Sequence, residues 1–378
     1  MLPRLPGCSE RNPDVARSTS TADDEESQPL SPVVIMGTGL VGASIGCALT
    51  AVGEDVRLRD RYRSHAVVAA GLGAGSVEHP IPTSVHLVVV AVPPQAVPEV
   101  VDWALSHYRN AVVTDVASVK APVLADLRAR GRDLSRYVGS HPMAGSQYSG
   151  PLTATATLFV DRTWVVARGT GNEASQRMVE RLAVMCGAHV VHLDADEHDR
   201  AVAEISHMPQ LMSSLTAARL RDVPASDLLL AGQGVRDVTR IAGSDPALWR
   251  QIITANSTEI GTQLRAIRGD LDRLIDQLDD PDAIADLVER GREGVAALPG
   301  KHGRKIGDMS EVVVEIPDTP GALARLFTDI QAQGINIEDL SIEHGLSREV
   351  GYLSVAVDAE RAPDLRAAMV RAGWDLRS

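Results

Sequence analysis

Lysine is almost missing from this chain: among its 37 basic residues only Lys120, Lys301 and Lys305 are lysines. Acidic residues number 50, and the formal charge is -13. The chain therefore lacks the basic clusters on which nonspecific binding to nucleic acid or to anionic membranes depends. Cysteine is scarce too. Cys8, Cys47 and Cys186 lie far apart, without the pattern of a disulfide framework or the spacing of a zinc site, which suits a reducing, cytoplasmic setting. His189, His192 and His198 look metal-like in number but form no compact ligand set, so they are expected to be surface or structural residues. No basic start leads into an apolar core, so no secretory signal is expected.

What is present suffices for two or three domains, since the chain has 378 residues. Residues 1–31 mix Pro, Ser and Thr with the run Asp23-Asp24-Glu25-Glu26, and are expected to form a disordered tail. Residues 29–53 carry no charge, which raises a membrane span as a competitor. Their glycines cluster at one point, however, and argue against it. The run Pro32–Met36 leads into Gly37-Thr38-Gly39-Leu40-Val41-Gly42, then into the helix-competent stretch Ala43–Val52. Strand, glycine turn and helix in that order make a dinucleotide-binding fingerprint. Gly37 permits the tight turn, Gly39 lets backbone approach a pyrophosphate, and Gly42 lets the helix lie close on the sheet. The helix start offers free N–H donors and a partial positive charge. A second strand, Asp55–Asp60, ends in an acid 18 residues past Gly42, near the spacing of about 20 expected of a ribose-binding carboxylate. Asp60 would accept from the 2'-hydroxyl and repel a 2'-phosphate, which predicts NAD. The neighbouring Arg61 and Arg63 would receive that phosphate, and they keep NADP as the alternative.

The runs Val85–Val92 and Ala111–Val116 read as strands buried on both faces, as a parallel sheet requires. Open sheets bind ligands at the carboxyl edge of such strands. Val92, the loop Ala117-Ser118-Val119-Lys120 and the loop-like segment Gly139–Gly145 are expected there. Residues 198–298 carry helical periodicity with caps such as Asp245-Pro246. Pro209 interrupts the pattern Val202–Pro209, predicting a kink beside His207 that frees the Ile205 carbonyl. Arg236 and Arg240, four apart, share a helix face, and paired guanidiniums suit a carboxylate ligand. Gly300–Lys305 reads as a linker. Beyond it, Glu311–Ile316 alternates like a strand, Pro320–Gln333 is amphipathic, and Ile335–Ile342, Tyr352–Val357 and Ala362–Ala372 follow. With a last strand at Trp374–Leu376, this is a ferredoxin-like βαββαβ order.

The fingerprint, Asp115–Lys120, Gly139–Gly145, Ser206-His207-Met208-Pro209 and Arg236–Ala242 together resemble the prephenate and arogenate dehydrogenase family of tyrosine biosynthesis. The end of the chain, with Pro317–Leu323 and Gly334–Ile337, resembles an ACT domain. The resemblance implies an α/β architecture: a Rossmann-type NAD domain (32–197), an all-α dimerisation domain (198–300), a linker (301–309) and an ACT-like regulatory domain (310–378). It implies that His141 is the catalytic histidine at the ring C4 hydroxyl and that Ser118 contacts both this hydroxyl and the nicotinamide. It implies further that Arg240 grips a substrate carboxylate, that His207 lines the pocket and that Trp249 lies near its mouth. Arg236 is a further expected substrate contact. Gln147 stands where some relatives carry an acid, which favours the keto acid prephenate over the amino acid arogenate.

On the residues alone each of these has a plainer reading: His141 as a turn residue, His207 as a cap of the kink, Ser118 as a helix cap, and Arg240 paired with Asp237. The chemistry asks for a histidine titrating near neutrality. Arogenate, or a 4-amino analogue of prephenate, is the alternative substrate. A β-hydroxyacid dehydrogenase would need a lysine in the helical region, and residues 198–298 have none. A non-catalytic dinucleotide sensor would need no base beside the nicotinamide. The ACT-like residues Asp318, Pro320, Gly321, Ala322, Leu323, Asn336 and Ile337 are expected near a small effector, with tyrosine as the expected ligand, and a homodimer is expected.

Overall fold

The computed structural model describes residues 30–145, 150–298, 309–344 and 350–377. Gln147, the linker through residue 308 and the tail through residue 29 lie outside the described residues. Leu30 and Ser31, expected in the tail, are tied to the sheet: the Leu30 side chain is fully buried and the Ser31 hydroxyl accepts from the Asp55 N–H (2.7 Å).

Apolar runs alternate with helices through β1 (Val33–Met36), α1 (Leu40–Ala51), β2 (Val56–Arg59), α2 (Arg63–Gly71), β3 (Leu87–Val90), α3 (Val97–His107), β4 (Val112–Asp115), α4 (Ala121–Ala129), β5 (Tyr137–Pro142), β6 (Thr163–Ala167), α5 (Glu173–Met185) and β7 (His189–Leu193). They build a seven-stranded sheet of order β2-β1-β3-β4-β5-β6-β7, parallel except where β5 meets β6. Every residue of β3 and β4 is buried, as strands covered on both faces must be. The order reverses between β1 and β3, the switch point at which such sheets open a ligand crevice. His141 is on a strand and not in the expected loop. Ser140-His141-Pro142 pairs with Val166-Val165-Trp164 of β6, a buried strand that the sequence reading did not place.

Helices follow: α6 (Ala195–Val202), opened by a capping box at Asp194 and Glu197, a π-helical turn (Ala203–His207), then α7 (Met208–Arg219), α8 (Ala225–Leu228), α9 (Gln233–Thr239), α10 (Pro246–Ala255), α11 (Ser257–Asp276) and α12 (Pro281–Ala296). The break at Pro209 takes the form of that widened turn, which places the proline as the second residue of α7, where a missing N–H is harmless. Asp245 caps α10 by accepting from the Ala247 N–H (2.8 Å). No helix among the described residues is long and apolar enough to cross a membrane.

The last module contains β8 (Met309–Pro317), α13 (Ala322–Gln331), β9 (Asp339–His344), β10 (Val350–Asp358), α14 (Ala362–Arg371) and β11 (Asp375–Arg377). Its antiparallel sheet has the order β11-β8-β10-β9, which is the ferredoxin-like arrangement. The second strand starts at Asp339, later than expected, because Ile335 turns into the core with Val314, Leu326 and Leu353 before pairing begins.

The described residues fall into two compact units, 30–218 with 241–263, and 219–240 with 264–377. Residues 198–300, expected as one helical domain, are divided between them. The reason for part of that division is polar: Asp199 on α6 accepts from the Lys120 and Ala121 N–H groups of the sheet unit, and Asn256 after α10 donates to the Asp199 carbonyl.

Candidate active site

The crevice at the switch point is shaped by three glycines with different duties. A Cβ on Gly37, whose φ is +98°, would meet the Ala91 carbonyl oxygen at 2.3 Å, and one on Gly42 would meet the Gly37 oxygen at 2.0 Å. Both are closed to any side chain. Gly39, the N-cap of α1, would meet nothing within 4 Å. No side chain caps α1 and its first turn holds no acid, so the donors at its start are left for an anion. Asp60, at the end of β2, accepts from the Thr38 N–H (2.7 Å), the Thr38 hydroxyl (2.8 Å) and the Tyr62 N–H (2.8 Å), which fixes the carboxylate against the glycine turn. Leu40 and Val41 open α1, and Val92 follows β3, on the loop against which Gly37 packs. These features fit a dinucleotide.

Two strands away, the carboxyl ends of β4 and β5 hold a buried polar network. Lys120 binds the Asp115 carboxylate and donates to the Ser140 carbonyl (2.7 Å). Tyr137 donates to Asp115 Oδ2 (2.7 Å); burial and that carboxylate push its phenol well above its usual range, so it stays a donor. The chain entering His141 is thereby clamped. His141 Nδ1 lies 2.9 Å from His198 Nε2, and His198 Nδ1 lies 2.7 Å from Asp199 Oδ1. Burial, then the neighbouring His198, Lys120 and His207, push the His141 pKa well below that of a free imidazole. This corrects the expectation of a value near neutrality: the ring is held neutral.

His207 sits 2% exposed in the π-helical turn. Burial pulls its pKa down to about 4. Asn256 Nδ2 lies 2.7 Å from the Asp199 carbonyl and 3.1 Å from His207 Nδ1. A carbonyl only accepts, so the amide nitrogen faces both partners and donates to His207 Nδ1, leaving His207 protonated at Nε2. Trp249 packs edge-on against His207, with ring centroids 6.1 Å apart.

The expected residues thus separate into groups. His141, His207 and Trp249 share one unit, and Ser118 is half-buried on the β4–α4 loop between Asp115 and Lys120. Ser118 is not a helix cap, since the N-cap of α4 is Lys120 and no side chain caps that helix. Arg236 on α9 and Arg240 in the turn after it are exposed and belong to the other unit. Asp237 accepts from Gln233 (2.8 Å) in place of Arg240. His198 is fully buried against His141, which excludes the surface half of its surface-or-structural expectation, whereas His189 and His192 face Asp161 and Glu180. Sequence reasoning also missed Asp199 and Asn256. The capping box that opens α6 was the available signal for His198 and Asp199.

Residues 45–192 match the model described as prephenate dehydrogenase, nucleotide-binding domain, and residues 194–290 match prephenate dehydrogenase, dimerization domain. Across 360 residues, 91% of this chain and 99% of the relative, it is 34% identical to the "Probable prephenate dehydrogenase NovF" of Streptomyces niveus. The chain belongs to the prephenate dehydrogenase family. The prephenate dehydrogenase of Bacillus subtilis is 26% identical over 333 residues, 82% of this chain and 87% of that one. The fold is that of the Aquifex aeolicus prephenate dehydrogenase solved with hydroxyphenyl propionate and NAD+, with a TM-score of 0.61, 24% identity, and coverage of 69% of this chain and 96% of that one. The chain is accordingly an oxidoreductase whose Rossmann-type sheet is the family's nucleotide-binding domain.

Proposed function

We propose that this enzyme oxidises prephenate to 4-hydroxyphenylpyruvate and CO2 with NAD. The observation that carries the reading is His141 near the carboxyl end of β5, two strands from the glycine crevice, at the sheet edge where ligands of such sheets bind, with burial pushing its pKa well below that of a free imidazole. Gly37, Gly39, Gly42 and the start of α1 hold the pyrophosphate, and Asp60 takes the ribose. When bound, NAD accepts the hydride from ring C4. His141 takes the C4 hydroxyl proton, Ser118 orients that hydroxyl, and His207 donates from Nε2. Arg240 and Arg236 supply the cations a dianionic substrate needs. Loss of the ring carboxylate then aromatises the ring, which makes the reaction irreversible.

The working form is a homodimer. Leu229 and Leu230 are 80% and 86% exposed, and α8, α9 and α12 bury none of their residues in one chain. Such faces need a partner. The β8–β11 module reads an amino-acid effector, with tyrosine as the proposed ligand. Asn336 and Ile337 line a depression with Phe327, Ile330 and Gln331, and Asp318–Gly321 form the turn into α13, where Gly321 has φ +90° and Ala322 and Leu323 open the helix. Tyrosine that changed neither rate nor thermal stability would exclude this role.

The test is the initial rate of reduced-cofactor formation on prephenate and on arogenate, each with NAD and NADP, for the enzyme and for His141→Asn. Prephenate turnover with NAD that collapses in the variant is expected. Preference for arogenate would reassign the substrate, and an active variant would remove His141 from the chemistry.

A further inference from the structure

His198 and Asp199 have no place in the reading above, yet both are almost fully buried and aligned behind His141. Hydrogen-bond bookkeeping along the line settles the proton positions. Asp199 accepts the Lys120 N–H at Oδ1 and the Ala121 N–H at Oδ2, both at 2.8 Å, so it is held as a carboxylate acceptor. Its neighbour His198 Nδ1, 2.7 Å away, must therefore carry a hydrogen. A neutral His198 then has a bare Nε2, and the 2.9 Å contact forces His141 to donate from Nδ1. The free nitrogen of His141 is consequently Nε2, with its lone pair available.

We infer that Asp199 and His198 form a positioning relay that sets the His141 tautomer and removes the charge that His141 acquires as a base. The inference rests on His141 being that base. When His141 Nε2 takes the hydroxyl proton, its Nδ1 proton passes to His198 Nε2. His141 ends neutral, protonated at Nε2, and His198 ends as an imidazolium against the Asp199 carboxylate. One proton has entered the line and none has left it. The relay answers a difficulty in the site: the groups facing His141 are His198 on α6, Lys120 on the β4–α4 loop and His207 in the π-helical turn, and none of them stabilises a cation there. Asp199, one ring further on, does.

Two experiments test this on the whole chain. The first needs no variant activity. Selective 15N-histidine labelling reports ring tautomers by two-bond N–H correlations, with His141 and His198 assigned from the signals lost in His141→Asn and His198→Gln. The Nδ1–H form is expected for both rings, and an Nε2–H form at His141 would overturn the relay. The second is the pH profile of His198→Gln, whose amide oxygen still accepts from His141 Nδ1 but cannot receive its proton. The expected result is a fall in kcat of about 10- to 100-fold, part of the range a positioned base contributes. KM should change little, and the acid limb of kcat/KM should move to lower pH. Wild-type kcat with an unmoved limb would overturn the relay, as would a loss confined to KM. An active His141→Asn would show instead that the base assignment failed.

Discussion

The glycines at the switch point predict a separation of stability from cofactor binding. In Gly42→Ala the new methyl would lie 2.0 Å from the Gly37 oxygen and 2.9 Å from the Ala91 Cβ, where ordinary contact between atoms begins at about 3.5 Å. Helix α1 would have to lift off β1 and β3. Such overpacking costs about 3 kcal/mol at the upper end of its usual range, and for a domain of this size Tm should fall by about 6–12 °C. In Gly39→Ala the methyl meets nothing within 4 Å, and the residue's extended backbone, φ -71° and ψ -167°, admits alanine. Stability should therefore change by less than about 0.5 kcal/mol, since the capping loss and the entropy gain nearly cancel. The methyl would, however, stand where backbone must approach the pyrophosphate. Weakening one charge-assisted hydrogen bond worth about 1.5–3 kcal/mol raises the NAD Kd by about 10- to 100-fold. Thermal unfolding and calorimetric titration with NAD measure the two effects. Gly42→Ala retaining the wild-type Tm would refute the packing argument, and Gly39→Ala binding NAD normally would refute the placement of the phosphates.

Asp60→Ala should weaken NAD and shift the NADP to NAD preference upward by about tenfold or more, because a carboxylate that repels a 2'-phosphate is gone while Arg61 and Arg63 remain; a ratio of kcat/KM values that does not move would refute it. Arg240→Gln should raise the KM for prephenate by about 10- to 100-fold with a smaller change in kcat, the mark of a group that grips the ground state, and steady-state kinetics would show otherwise if its role lies elsewhere. His207 stays neutral down to about pH 4 in the folded protein, whereas an unfolded histidine takes up its proton near pH 6.5. The unfolded state thus binds more protons in this window, so stability falls as pH drops through it, by at most about 3 kcal/mol. His141 is depressed in the same direction. Urea midpoints between pH 7 and pH 4.5 should fall less steeply in His207→Gln than in the wild type, and equal slopes would exclude His207 as the source.

Much of the architecture was legible because it rests on local periodicity. Strand, glycine turn and helix at Val33–Ala51 are written in consecutive residues, and so is the module that begins at Met309, whose alternation follows a two-residue period. His141, Ser118 and His207 entered the candidate site through short motifs that the resemblance carried. Gly42's closeness agrees with the packing duty its position predicted, and Gly39 stands open. The strand β6 was not read, so His141 was expected in a loop, and Pro209 gave a break without revealing the π-helical turn that it takes.

The order of elements and the glycine turn follow from the sequence alone, since each depends on neighbours within a few tens of residues. The contacts that surround His141 come from the tertiary structure alone. His141 and His198 are 57 residues apart, and Lys120 and Asp199 are 79 apart. No periodicity spans such distances, and desolvation, which holds His141 neutral, exists only once α6 has closed over the sheet edge.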